Sequence, residues 1–191
     1  MIRLFIALPL PDEVERKLAG IIDMLKSEDG NVKWVSSQNI HLTAKFLGDT
    51  DENLVTKISG EIDRIASTFA PIDCAIDTLG GFPNLRRPRV IWAGISGDTE
   101  TAVKIAKQID LAMRKLRFEK EKRPFKAHLT LGRVRQGSRL DRLADFMEQY
   151  RLDPIPLRLD RLTLFKSTLT PKGAIYDRLH EAVLGKERLS G

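Results

Sequence analysis

Two short stretches hold the residues best suited to chemistry: HLTAKFLGD, from His41 to Asp49, and HLTLGRV, from His128 to Val134. The chain has three histidines in 191 residues, and two of them open the tripeptide His-Leu-Thr. An imidazole titrates near neutrality, so of two that face each other one can be neutral while the other is protonated. Such a pair suits a displacement that needs a base on one side and an acid on the other. Each positioned proton transfer contributes about 10²–10⁴ in rate. The threonine hydroxyls are donors suited to the non-bridging oxygens of a phosphate. Lys126 and Arg133 flank the second motif and would complete an anion site.

In an extended strand, residues i and i+2 share a face. His41 with Thr43, and His128 with Thr130, then line one side. Leu42, Ala44, Phe46, Leu129 and Leu131 turn the other way, toward a core. Strict alternation would also turn Arg133 away, but Gly132 just before it could mark a bulge that re-aims it. Taken singly, each histidine also has a structural reading; recurrence of the motif at matching places favours the catalytic pair. Two histidines without a nearby cysteine or convergent carboxylate leave a metal shell incomplete, so neither metal nor cofactor is expected. His180, in YDRLHEAV, has no partner pattern and reads as structural or solvated. Cys74 has no adjacent base and reads as a small buried strand residue. As the single cysteine, it excludes an internal disulfide and fits a reducing compartment.

The elements that must position these residues follow from periodicity. Apolar stripes at helical spacing predict helices near 11–26, 50–69, 98–116 and 138–150, the third capped by Asp98 and the fourth opened by Ser138. In the third the stripe is Val103, Ala106, Ile109, Met113 and Leu116. Strands are predicted at 2–8, 32–35, 40–47, 72–79, 89–95, 127–135, 155–165 and 174–183. Arg3, Ala7 and Asp12 match Arg89, Ala93 and Asp98 at a separation of 86, and His41 matches His128 at 87. The expectation is an α+β fold in which a duplicated β-α-β-β-α-β unit forms two pseudo-symmetric lobes. Antiparallel sheets would surround a central cleft, with helices outside. The chain, 1–191, is then one two-lobed domain with an internal repeat of roughly 1–85 and 86–191.

A formal net charge of +6 and a pI near 9.5 favour an anionic partner such as nucleic acid, an anionic membrane or a phosphorylated metabolite. A surface charged for thermal stability is the plainer alternative. The apolar start LFIALPL is short, holds two prolines and has no cleavage site, and no segment is long enough to span a bilayer. A cytoplasmic protein with no membrane partner is expected.

These motifs resemble the two-histidine phosphoesterase superfamily, whose members carry paired His-x-Thr/Ser-x signatures in a duplicated two-lobed fold. RLFIALPLP, VKWVSSQNIHLTAKFLGD, GGFPNLRRPRVIWAGI, KRPFKAHLTLGRV and LFKSTLTPKGAIYDRL narrow the resemblance to the RNA 2',3'-cyclic phosphodiesterase family, formerly 2'-5' RNA ligase. Ala44 and Ala127 stand where Leu and Pro are loosely expected. The resemblance implies metal-independent hydrolysis of a terminal 2',3'-cyclic phosphate on RNA to a 2'-phosphate, with reversible 2'-5' ligation at the same site. It implies His41 as proton donor, His128 as proton acceptor, and Thr43, Thr130 and Arg133 as phosphate ligands. RNA with a cyclic phosphate end, tRNA-like or other, is the implied partner of a monomer. Phe82, Arg86, Arg87, Phe125 and Lys126 are candidate RNA contacts; Phe5 and Trp34 could also stack, though core packing is the stronger reading for both. A phosphodiesterase for small cyclic nucleotides and a non-catalytic RNA-binding module are the alternatives.

Overall fold

Apolar stripes bury four helices in the computed structural model, which describes residues 1–28, 31–138, 140–171 and 173–185. Helix α1 (Asp12–Lys26) buries Val14, Leu18, Ile21, Ile22 and Leu25, and α2 (Val55–Ala66) buries Ile58, Ile62 and Ile65. Helix α3 (Thr99–Lys115) buries Ile105, Ile109 and Met113, and the Asp98 carboxylate caps it by accepting the Thr101 amide at 3.1 Å. Val103, expected in that stripe, is 42% exposed because Ile105 takes the inward position. Helix α4 (Asp141–Gln149) buries Leu143 and Met147 and starts after Leu140. Ser138 therefore does not open it; its amide bonds the Arg135 carbonyl in the preceding turn.

Nine strands are present among the described residues: β1 (Ile2–Pro9), β2 (Val32–Trp34), β3 (His41–Thr50), β4 (Ile72–Phe82), β5 (Val90–Gly97), β6 (His128–Val134), β7 (Ile155–Leu159), β8 (Arg161–Thr170) and β9 (Gly173–Val183). The stretch 155–165, expected as one strand, is two. β7 pairs with β4, whereas β8 pairs with β1 in the other sheet, and Asp160 is the corner between them. The apolar alternation of Ile155, Leu157 and Leu159 resumes out of phase at Leu162 and Leu164, and that break marks the change of sheet.

The sheets run β3-β1-β8-β9 and β2-β6-β5-β4-β7, and the pairings that build them are antiparallel. Their layouts correspond: motif strand β3 or β6, then β1 or β5, then β8 or β4. Each sheet nevertheless draws on both halves of the chain. β4 of the first half lies beside β5, and β8 and β9 of the second half complete the sheet of β1 and β3. The match of Ala7 to Ala93 is not the register of space: Ala7 opposes Thr43, but Ala93 opposes Leu129, and Trp92 takes the place across from Thr130. A slip of one residue reverses the face. Ala7 accordingly sits in a small cluster with Phe5 and Phe165, while Ala93 joins the main core.

The main core merges residues from both sheets and all four helices into one apolar cluster. Burial of this kind contributes roughly 25 cal/mol per Å² of apolar surface removed from water. The smaller cluster of Phe5, Ala7 and Phe165, flanked by Tyr176, forms on the other face of the first sheet, under His41. Strands β3 and β6 approach each other where the sheets meet. Among the described residues no helix is long and apolar enough to cross a membrane.

Candidate active site

Each motif sits at the start of its strand, and each strand carries one extra residue just after the motif threonine. Thr43 opposes Ala7 and Lys45 opposes Ile6, so Ala44 is extra. Thr130 opposes Trp92 and Gly132 opposes Ile91, so Leu131 is extra. A bulge reverses the alternation beyond it. Arg133, paired with Val90, therefore turns to the side of Thr130 and lines the cleft. Phe46 is turned the same way: it pairs with Phe5, is 65% exposed and lines the cleft, contrary to the core position expected from strict alternation. Phe46 and Arg133 are thus counterparts, an aromatic face in one copy and a guanidinium in the other.

A cleft of about 1110 Å³ is lined by His41, Thr43, His128, Thr130 and Arg133 together. Both rings are held by a carbonyl two residues upstream. His128 Nδ1 donates to the Lys126 carbonyl at 2.7 Å. The oxygen only accepts, so Nδ1 carries the proton and Nε2 is left for proton transfer. The His41 ring also bonds the backbone of Asn39. Their surroundings differ. The His41 ring stacks on Phe5 with centroids 4.7 Å apart and meets Tyr176 edge-on at 5.5 Å. Burial among these rings pushes its pKa down to about 4, against the opposing pull of the Asn39 bond. His128 instead meets the edge of Phe82 at 5.1 Å, and Phe82 packs on Trp92 at the same distance. A Cβ at Gly80 would lie 2.3 Å from the Trp92 ring, so that glycine makes room for the indole.

Of the candidate RNA contacts, Phe82, Phe125 and Lys126 line the cleft. The Lys126 ammonium lies 5.4 Å from the centroid of the Phe82 ring. Arg86 and Arg87 are not among the lining residues. Arg86 is committed to α4, through Asp145 at 2.5 Å and Glu148, and the Arg87 amide closes a turn onto Asn84 at 2.9 Å. The basic run RRPR presents Arg89 to the cleft instead. Phe5 is buried beneath His41, and Trp34 packs against the main core.

Arg123, within the basic run 114–126 that could flank the cleft, lines it, and sequence reasoning missed Tyr176 and Lys107, which line it too. Burial raises the Tyr176 phenol above its usual value while the positive charge of Arg133, from the opposite sheet, lowers it. Among the described residues no group of three or more His, Cys, Asp or Glu could hold a metal ion. Cys74 lies outside the cleft lining; burial pushes its thiol up to about 11, and Sγ donates to the Leu157 carbonyl at 3.3 Å. His180 ties β9 to α2 through Asp63 at 2.7 Å, a structural bond.

Chemically, the cleft offers two ring nitrogens, two hydroxyls and a guanidinium, with Arg89, Lys107, Arg123 and Lys126 adding positive charge around them. That set fits an anionic phosphodiester and in-line proton transfer across it.

The chain is 35% identical over 180 residues to the RNA 2',3'-cyclic phosphodiesterase of Methanocaldococcus jannaschii, covering 94% of this chain and 99% of that protein. It is 32% identical over 181 residues to the RNA 2',3'-cyclic phosphodiesterase of Thermotoga maritima, covering 94% of each. The crystal structure of TT0787 from Thermus thermophilus superposes with a TM-score of 0.79 at 26% identity, covering 97% of this chain and 100% of that one. E. coli LigT complexed with 3'-AMP shares the fold at a TM-score of 0.74 and 21% identity, over 96% of this chain and 98% of that one. With the LigT-like phosphoesterase signature matching residues 8–92 and 95–176, the chain belongs to that family.

Proposed function

We propose that the protein hydrolyses the terminal 2',3'-cyclic phosphate of RNA to a 2'-phosphate, without metal or organic cofactor. The observation that carries this reading is the convergence of His41, Thr43, His128, Thr130 and Arg133 on one cleft. Water attacks phosphorus as the bond to the 3'-oxygen breaks. His128 accepts the water's proton at Nε2, and His41 donates a proton to the departing 3'-oxygen. Thr43, Thr130 and Arg133 hold the non-bridging oxygens, where charge develops. The upstream backbone bonds keep both rings aimed, and the one from Asn39 favours the imidazolium of His41.

RNA as the substrate is supported by the names of the relatives and by the basic, aromatic wall. Arg89, Arg123 and Lys126 can follow a phosphate backbone, while Phe46, Phe82 and Phe125 offer faces to bases. The same displacement, with an RNA 5'-hydroxyl in place of water and the 3'-oxygen again departing, would give a 2'-5' linkage. We further read residues 1–191 as one cytoplasmic, monomeric, two-lobed domain with an internal repeat.

Incubation with a 2',3'-cyclic-phosphate oligonucleotide in EDTA is expected to yield a 2'-phosphate end. His41→Ala and His128→Ala should each reduce kcat by about 10² or more. Turnover abolished by the chelator, or retained in both variants, would overturn the reading.

A further inference from the structure

Lys45 is a buried charge on the strand of the first motif. It lies two residues past Thr43, beyond the bulge, and is only 4% exposed. Its Nζ donates to Asp110 Oδ1 of α3 at 2.7 Å and to the Glu119 carbonyl at 2.9 Å. The same Asp110 oxygen accepts the Glu121 amide at 2.9 Å. The Glu121 carboxylate then accepts the Lys122 and Arg123 amides at 3.1 and 3.3 Å. Burial pushes the Asp110 carboxyl up, but the Lys45 ammonium and the Glu121 amide outweigh it and hold the group below the usual carboxylate range.

These bonds converge on the irregular segment 117–127 between α3 and β6. The segment leaves the helix through Arg117, whose φ of 69° lies in the left-handed region, and it has no strand ladder to hold it. It brings Arg123, Phe125 and Lys126 to the cleft and ends against His128. A buried ion pair adds little net stability compared with apolar packing, yet it can fix a single geometry. The duplicated strand does not itself require a lysine here: Gly132 stands at the matching place in β6. What Lys45 has and Gly132 lacks is this segment to hold.

We propose that Lys45 is a positioning residue. Through Asp110 it holds segment 117–127 as a fixed wall of the cleft, and so sets affinity for the nucleotides upstream of the terminal cyclic phosphate. Preference for an RNA chain over a mononucleotide then depends on a cleft-lining side chain that is only 4% exposed and is spent on Asp110. The inference rests on the cyclic phosphodiesterase reading and adds the origin of chain specificity.

The test compares Lys45→Met, Asp110→Asn, the double variant and Lys45→Arg with the unaltered protein. Substrates are a 2',3'-cyclic-phosphate oligonucleotide and a 2',3'-cyclic mononucleotide, and amide hydrogen exchange is followed in parallel. Lys45→Met is expected to raise KM for the oligonucleotide about tenfold, with kcat and the mononucleotide kcat/KM within about threefold. The double variant should be no worse than Lys45→Met, because both changes break one interaction. Lys45→Arg should recover much of the loss. Exchange at 117–127 should quicken about tenfold while amides of β1 stay protected.

Equal losses on both substrates overturn the proposal, as does exchange at 117–127 that matches the unaltered protein. If Lys45→Met does not fold, Asp110→Asn, of equal size and nearer the surface, carries the same expectations. Absence of turnover on either substrate by the unaltered protein would instead defeat the cyclic phosphodiesterase reading. The exchange measurement then still decides whether Lys45 holds the segment.

Discussion

His41 and His128 are tethered alike and surrounded differently. The ring stack around His41 favours its neutral form in the free protein, with a pKa of about 4, yet a proton donor must carry a proton. A phosphate monoanion about 4 Å from a charged ring contributes about 4 kcal/mol at an effective dielectric of about 20. That equals roughly three pKa units, so the substrate itself brings His41 near neutrality. The sign is definite: below about 4 the free ring is already charged, and above the raised value neither form is. Between those limits binding takes up a proton, and affinity for the anion falls as pH rises. NMR titration of the His41 ring is expected to show a midpoint near 4 alone and roughly three units higher with saturating inorganic phosphate. An unchanged midpoint would remove the donor role. At this scale the motif pair is legible because i, i+2 spacing puts imidazole and hydroxyl on one face. Phe46 is not, because one unpaired residue at Ala44 reverses the pattern and leaves no mark in composition.

The bulged strands are the elements that turn two short motifs into a site. In β6 the reversal depends on Gly132, where a Cβ would lie 2.6 Å from Val32 Cγ1 and 2.9 Å from the Trp34 ring. Gly132→Ala must therefore displace β2 or shift β6, and Arg133 moves with it. The expected cost is about 1–3 kcal/mol in denaturant unfolding, with a fall in kcat/KM. Gly60→Ala in α2 is the control: nothing lies within 4 Å of its Cβ, and stability should rise by about 1 kcal/mol. A stable Gly132→Ala with full activity would show that the close packing is dispensable. Four helices are readable from their stripes, and Asp98 from its position. The corner at Asp160 is not, since β7 buries alternate residues and β8 a run from Leu162 to Phe165, and which sheet each joins is set by long-range pairing. Tyr176 escapes for a related reason: its direction is set by the long-range pairing of β9 with β8.

Across the whole molecule, the paired motifs suggest two like halves, and the four strands of one sheet have counterparts in the other, which adds β2 at its edge. The halves are nevertheless interleaved: β4 is held between β5 and β7, and β8 between β1 and β9. Severed near residue 85, the N-terminal piece would carry β4 with neither neighbour, and the C-terminal piece would carry β8 and β9 with β1 and β3 gone. Unpaired strands of this kind are templates for association. Fragments 1–85 and 86–191 are expected to stay unfolded or aggregate apart, and to recover far-UV circular dichroism and activity when refolded together. A fragment that melts cooperatively by itself would contradict this. By the same logic, a cut near residue 85 leaves each piece short of strands that the other holds, so the cleft between the motifs can form only when both pieces are present.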